Sequence, residues 1–236
     1  MIGRLSPRIW VTLFVVAACF SPAAAQSFSQ SFRVTSPMSE VEVKIKRGAI
    51  KVVAGESNFI TVRAREKDGD PKIQAVQTAP GRIVVEVMGK GKVKLEISVP
   101  QTSNLDLVCY DCEISVKNVS GAVRAATTEG DIQFIGVRSA RLEAHSTTGN
   151  ISFNGSVLPS GNYIFKSFSG RVDTELKPSV DCRLSATSFR GGIGLGDFPW
   201  QFKKQTDQFV EATLGDGRAS ILIWTQEGTI QMHRKQ

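Results

Sequence analysis

Cys109-Tyr-Asp-Cys112 is the segment whose spacing most directly suggests chemistry, since two thiols three residues apart can form a redox pair or half of a zinc site. Its surroundings point elsewhere. Thioredoxin-type pairs open a helix, whereas Leu105, Leu107 and Cys109 alternate into Cys112, Ile114 and Val116 as two short strands do. No second Cys pair completes a zinc site. A local Cys109–Cys112 disulfide and two reduced thiols remain open.

The other chemical candidates are sparse. His145 and His233 are the whole histidine complement. His145 falls between the inward positions Ala144 and Ser146 and so faces solvent, which leaves little material for a triad or a metal. Asp173 and Glu175 are the best carboxylate pair, two apart on one strand face, but nothing adjacent completes a glycosidase or lyase site. Gly191-Gly-Ile-Gly194-Leu-Gly196 is glycine-rich without a following helix on which a phosphate could sit. Lys44, Lys46, Arg47 and Lys51 form a basic group whose lysines alternate with apolar positions and so point outward. It is either a solvated face that blunts a strand edge or a patch for anionic envelope polymer or lipid headgroups. No catalytic, metal or cofactor site follows, and the chain is expected not to be an enzyme.

The elements that would position these residues come from a repeat. A small residue, two positions, a glycine, one polar position and then Ile or Val recur as Thr127…Gly130…Ile132, Ser146…Gly149…Ile151, Ser167…Gly170…Val172, Ser188…Gly191…Ile193 and Thr225…Gly228…Ile230. The first four glycines are 19, 21 and 21 residues apart. Apolar residues stand seven and five places before each glycine and two places after it, as half-buried strands require. The frame extends to Cys112, which takes the glycine place, and to Gly48. One such unit cannot bury its apolar face alone, so units must stack. The glycines are expected to supply positive φ at the turns, and the Thr/Ser column to bond turn backbone groups.

This predicts an all-β chain: a single-stranded right- or left-handed β-solenoid or β-roll of about 20-residue rungs. Residues 101–236 form the regular rungs, and 26–100 a less regular, sandwich-like N-terminal part of the same domain. In that part 60–64 reads as a strand, and 82–88 with 92–99 as a hairpin around Gly89-Lys-Gly91. Residues 201–209 carry a weak helical pattern. With chain-order stacking, Cys182 lies four rungs from Cys112, roughly 19 Å at one strand spacing each, and is expected to be a lone inward thiol.

Residues 1–25 read as a secretory signal peptide, with Arg4 and Arg8, an apolar run from Ile9 to Ala18, and Ala23-Ala-Ala25 before Gln26. Val16-Ala-Ala-Cys19 also fits a lipobox, so lipidation at Cys19 stands as the alternative to cleavage after Ala25. The leader holds two of 29 basic and none of 22 acidic residues, leaving the mature chain at +5. That balance concerns solubility and weak attraction to anionic surfaces. No transmembrane helix and no nucleic-acid partner are expected.

The glycine turns, the small-residue columns and the closing Leu214-Gly-Asp-Gly217…Gln226-Glu-Gly-Thr-Ile230 resemble the bacterial "putative adhesin" domain of unknown function, from about Phe32 to His233. The resemblance implies an exported, adhesin-like β-solenoid without established catalytic residues, located in the periplasm, at the outer-membrane surface or outside the cell. Its partner would be an unknown envelope polymer or protein, with a lipid anchor where Cys19 is acylated. Cys112 and the long interval from Gly191 to Gly228 depart from the pattern. The competing function is a carbohydrate-active lyase or hydrolase on a β-helix scaffold.

Overall fold

The computed structural model describes residues 27–36, 38–55, 58–69 and 72–235, so the leader and Cys19 lie outside the described residues. Among these the chain is all strand and turn, with no helix. The strands are β1 (Ser27–Arg33), β2 (Glu40–Gly55), β3 (Phe59–Gly69), β4 (Lys72–Ala79), β5 (Arg82–Met88), β6 (Gly91–Pro100), β7 (Asn104–Lys117), β8 (Val123–Glu129), β9 (Ile132–Val137) and β10 (Arg141–Thr148). They continue as β11 (Ile151–Gly155), β12 (Asn162–Ser169), β13 (Val172–Leu176), β14 (Cys182–Ser188), β15 (Ile193–Gly194), β16 (Gln201–Gln205), β17 (Phe209–Leu214), β18 (Ala219–Thr225) and β19 (Ile230–Arg234).

Each repeat folds as a strand, a corner at the glycine and a second strand, and the repeats stack in parallel register. Leu142 pairs with Val123 and Tyr163, and Ile151 with Ile132 and Val172. The result is one continuous sheet bent at the corners into two layers. The first runs β4, β5, β2, β7, β8, β10, β12, β18, β14, β17, β16. The second runs β1, β3, β6, β2, β7, β9, β11, β13, β19, β15. Long strands β2 and β7 pass through the corner and belong to both.

Alternation places one residue in two between the layers. Ile83, Val41, Leu105, Val123, Leu142, Tyr163, Ile221 and Leu184 form one buried column. Volumes across the core are complementary: rungs with Ala125 or Ala144 in the first layer carry Phe134 or Phe153 in the second, and the rung with Phe165 carries Thr174. Such alternation fills the space between layers to native density without strain. Phe153 meets Tyr163 and Phe165 at ring centroids of 5.8 and 5.5 Å. The Tyr163 hydroxyl is satisfied inside, donating to the Ser139 carbonyl at 2.7 Å and accepting from the Leu158 amide at 2.8 Å.

The order of the rungs differs from the chain order at both ends. The rung of Gly48 lies between the β5–β6 rung and β7, and the rung of Gly228 lies between those of Gly170 and Gly191. Five steps, not four, therefore separate Cys182 from Cys112. The insertion gives the first and last rungs of the chain a neighbour on each side, and the outer rungs are extended by antiparallel strands β3, β4 and β17. Two local expectations change for the same reason. Strands β5 and β6 do not pair as a hairpin; they are the two arms of one rung, each bonded to β2. Residues 201–209 form no helix, because β16 and β17 pair and extend the sheet beyond β14. Asp181 pins this end: its carboxylate accepts from the Arg218 amide at 2.9 Å and pairs with the Arg218 guanidinium, contacts that hold it below the usual carboxylate range.

The glycine column also has a different cause from the one expected. Gly48, Gly130 and Gly149 take positive φ, whereas Gly170, Gly191 and Gly228 do not. At all six, a Cβ would collide with a backbone carbonyl of the neighbouring rung: Val93, Cys112, Gly130, Gly149, Gly228 and Gly170 respectively. The buried hydroxyls tie the same points together. Ser167 donates to the Gly149 carbonyl at 2.9 Å, Ser188 to Gly228 at 2.8 Å, Thr225 to Gly170 at 3.2 Å and Ser146 to Gly130 at 3.2 Å. We expect Gly170→Ala to cost about 1–3 kcal/mol by overpacking. Ser167→Ala should cost about 1–3 kcal/mol by stripping a buried carbonyl of its donor. Urea midpoints measure both, and a Gly170→Ala chain as stable as the parent would contradict the close approach.

Candidate functional site

Cys109 and Cys112 are joined by a disulfide across the corner of β7, with Cα atoms 5.9 Å apart. They occupy the two columns that elsewhere hold the hydroxyl residue and the glycine, but the bridge closes the corner of one rung, whereas the hydroxyl-to-carbonyl bonds tie each rung to its neighbour. Both are buried, while Tyr110 between them is exposed. Cys182 is free and buried against Ala219 and Leu214 in register, and burial pushes its thiol up to about 12. Such a thiol is not ionised near neutrality and makes a poor nucleophile.

The basic group is divided. Lys44 pairs with Glu42 at 2.5 Å, which raises the lysine and, together with Arg82, lowers the glutamate. Arg47 lies 3.6 Å from Asp111 at the corner. Lys46 is exposed on the first-layer arm, whereas Lys51 follows the corner on the second-layer arm, beside Glu96. The four residues thus do not share one face.

The carboxylate pair Asp173 and Glu175 lies on the outer face of the second layer with His233 beside Glu175 in register. Asp173 pairs with Arg171 at 2.8 Å, and Glu175 accepts from Asn154, which in turn accepts from Lys235 at 2.9 Å. His145 contacts Glu143 at 2.6 Å on the first layer, remote from both. Gly191 to Gly196 turn a corner into the short β15. Among the described residues no cluster of three or more His, Cys, Asp or Glu could hold a metal, and no helix is long and apolar enough to cross a membrane.

What stands out instead is the outer face of the first layer at its C-terminal end. Outward positions there carry Ile164 and Phe168 on β12, Leu222 and Trp224 on β18, Phe189 just beyond β14, and Phe209 on β17. Phe168 is 50% exposed and Phe189 44%. The Phe189 ring meets Trp224 edge-on at 6.2 Å, and the Lys204 ammonium lies 5.3 Å from the Phe209 ring centroid. Large apolar groups scattered singly on a surface need no account, but a contiguous cluster marks an interaction site. For all but Phe209 the signal was present in the repeat frame, since these positions fall in columns that alternation assigns to solvent, whereas Phe209 lies in the segment that read as weakly helical. Seeing them as neighbours required knowing that the rung of Gly228 lies between those of Gly170 and Gly191.

The profile of the Toastrack DUF4097 family matches residues 29–233, nearly the whole ladder. The chain belongs to this family. No curated protein matches it. This Toastrack chain is similar in fold to a "putative cell adhesion protein" from Clostridium sporogenes, at 12% identity and a TM-score of 0.56, over 90% of this chain and 100% of the other. A "putative adhesin" from Bacteroides fragilis aligns over 90% of this chain and 98% of its own, at 8% identity and a TM-score of 0.35.

Two measurements check the cysteines. Reduction should add two hydrogens to the intact mass and lower stability by about 2 kcal/mol or less, the entropic value for so short a loop. Cys182 should react with a thiol reagent only after unfolding; labelling of the native Toastrack domain would place it at the surface.

Proposed function

We propose that this chain is an exported, adhesin-like binding module of the bacterial cell envelope that works by surface contact and performs no reaction of its own. The observation that carries the reading is the aromatic face on β12, β18, β14 and β17, held on strands bonded on both sides. Burying apolar rings from a rigid surface gains affinity without the cost of ordering a loop. The leader-like residues 1–25 support export, and a Cys109–Cys112 disulfide suits an oxidising compartment. The rung geometry supports a β-solenoid with units near 20 residues, residues 26–236 forming one domain. Its handedness belongs to the same proposal.

An enzymatic reading would place hydrolysis or elimination at Asp173 and Glu175. Each of those carboxylates is engaged by its own partner, in an open depression that Asn154 and His233 also line. A general acid must be free to hand its proton to a leaving group, and here Arg171 and Asn154 engage the two carboxylates.

Cell fractionation of the tagged full-length chain should recover it outside the cytoplasm, and purified 26–236 should co-sediment with envelope material at low salt. Phe168→Ala with Phe189→Ala should reduce the bound fraction about tenfold, the scale of losing a central aromatic anchor. Lys44→Glu with Lys46→Glu and Arg47→Glu reports on the basic corner as the competing contact. Cytoplasmic retention together with absent sedimentation would end the envelope reading.

A further inference from the structure

We infer that the aromatic face of the first layer is a platform for an extended, acidic glycan; the inference rests on the envelope-binding reading and names its ligand class. Three features of the face carry it. The first is spacing. Phe168 and Phe189 stand in one row with Gln226 between them, and Trp224 and Phe209 in the next row with Thr187 between them. Within each row the ring-bearing strands are therefore two apart, about 10 Å at the usual strand separation. That distance is close to the repeat of two sugar units in an extended chain, whose alternate rings turn the same apolar C–H face toward one side. Aromatic faces carry negative quadrupole density and attract such polarised C–H groups while burying apolar area.

The second feature is what lies between the rings. Gln226 and Thr187 are half-buried polar side chains in the gaps, with half-buried Ser185 in the row beside them between Leu222 and Glu211, placed to bond hydroxyls that a sugar presents between its apolar faces. A lipid surface has no use for them, and membrane insertion needs side chains that penetrate several ångströms. Trp224, the largest ring here, is half-buried and meets the Phe189 ring edge-on instead of standing at a tip.

The third is charge. Lys166 is exposed beside Trp224 in register, Arg183 is exposed one rung further on, and neither has an ion-pair partner among the described residues; Lys204 lies over Phe209. The face's own carboxylate, Glu211, is occupied by Lys203 at 2.7 Å, and Glu227 at the corner by Arg190 at 2.6 Å. A lysine set next to the central ring is unlike the core of a protein–protein interface, where lysine is depleted. It matches a ligand that brings carboxylates of its own.

The test uses purified 26–236 and oligogalacturonate, with chito-oligosaccharide as the neutral glycan, phosphatidylglycerol vesicles, single-stranded DNA and the protein's own oligomeric state as the other arms. Oligogalacturonate should quench Trp224 emission and bind about tenfold more tightly than the neutral glycan at low salt, the preference shrinking as salt screens the lysines. Trp224→Ala, or Phe168→Ala with Phe189→Ala, should each weaken binding about tenfold or more. Lys166→Glu with Lys204→Glu should remove the preference for the acidic glycan while leaving the neutral one unchanged. Urea midpoints equal to the parent's confirm that these surface variants fold. The inference is overturned if oligogalacturonate does not bind, if its binding ignores these substitutions, or if only vesicles, DNA or a second copy respond to them. Envelope sedimentation separates the two claims. Aromatic variants that lose sedimentation while oligogalacturonate fails to bind the parent would leave the envelope reading standing and this one refuted. A chain retained in the cytoplasm whose purified domain does not sediment with envelope material would refute the envelope reading, while oligogalacturonate binding still decides the ligand.

Discussion

The ladder depends on one close contact repeated along its corner: the backbone of each rung touches the carbonyl of the next at a place where no side chain fits. Parallel strands stack at a fixed hydrogen-bonding distance, and a chain that turns sharply at that spacing brings its Cα against the carbonyl beside it. Glycine is required by this proximity first and by dihedral freedom second, since half of the corner glycines hold ordinary φ. The buried Ser and Thr three places earlier complete the device by donating to those same carbonyls, leaving few interior acceptors without a partner. At the β7 corner a disulfide links the same two columns.

With corners aligned, the remaining constraints are volume and edges. Columns that continue through every rung would overfill the core if all were large, and the pairing of Ala with Phe, and of Phe165 with Thr174, resolves this. The Thr174 hydroxyl lacks a hydrogen-bond partner among the described residues, the cost of a small residue at that level. Open edges are the hazard of any stacked sheet. Here the outermost rungs carry antiparallel strands, and the exposed β16 presents Lys203 and Lys204 near the final edge.

The two outer faces diverge in character because the core imposes nothing on them. The second layer shows Ser, Gln, Asn and paired charges from β7 onward, whereas the first layer concentrates rings and cations toward its C-terminal end. Since the strands are bonded on both sides, those rings are held in fixed relation to one another, which is what a repeating ligand needs and a mobile loop cannot supply. The family match extends over the ladder as a whole, and the face is a property of this chain's own outward residues.

Local pattern by itself determined the paired strands of the repeats, the inward columns from Val123 to Ile230, the corner positions and the family resemblance, because alternation and a recurring glycine are written within each unit and do not depend on which unit comes next. Sequence could not say that β2 lies beside both β5 and β7, or β18 beside both β12 and β14. Every rung offers a nearly equivalent edge, so the order is decided by which neighbour fits and which end is left open. From that order follow the loss of the expected β5–β6 hairpin and the meeting of Phe168, Phe189 and Trp224, whereas the corner at Gly48 separates Lys46 from Lys51 and the pairing of β16 with β17 replaces the helix at 201–209. A pattern of period two records which side of a strand faces the core, while only the folded stack decides which strands share a surface.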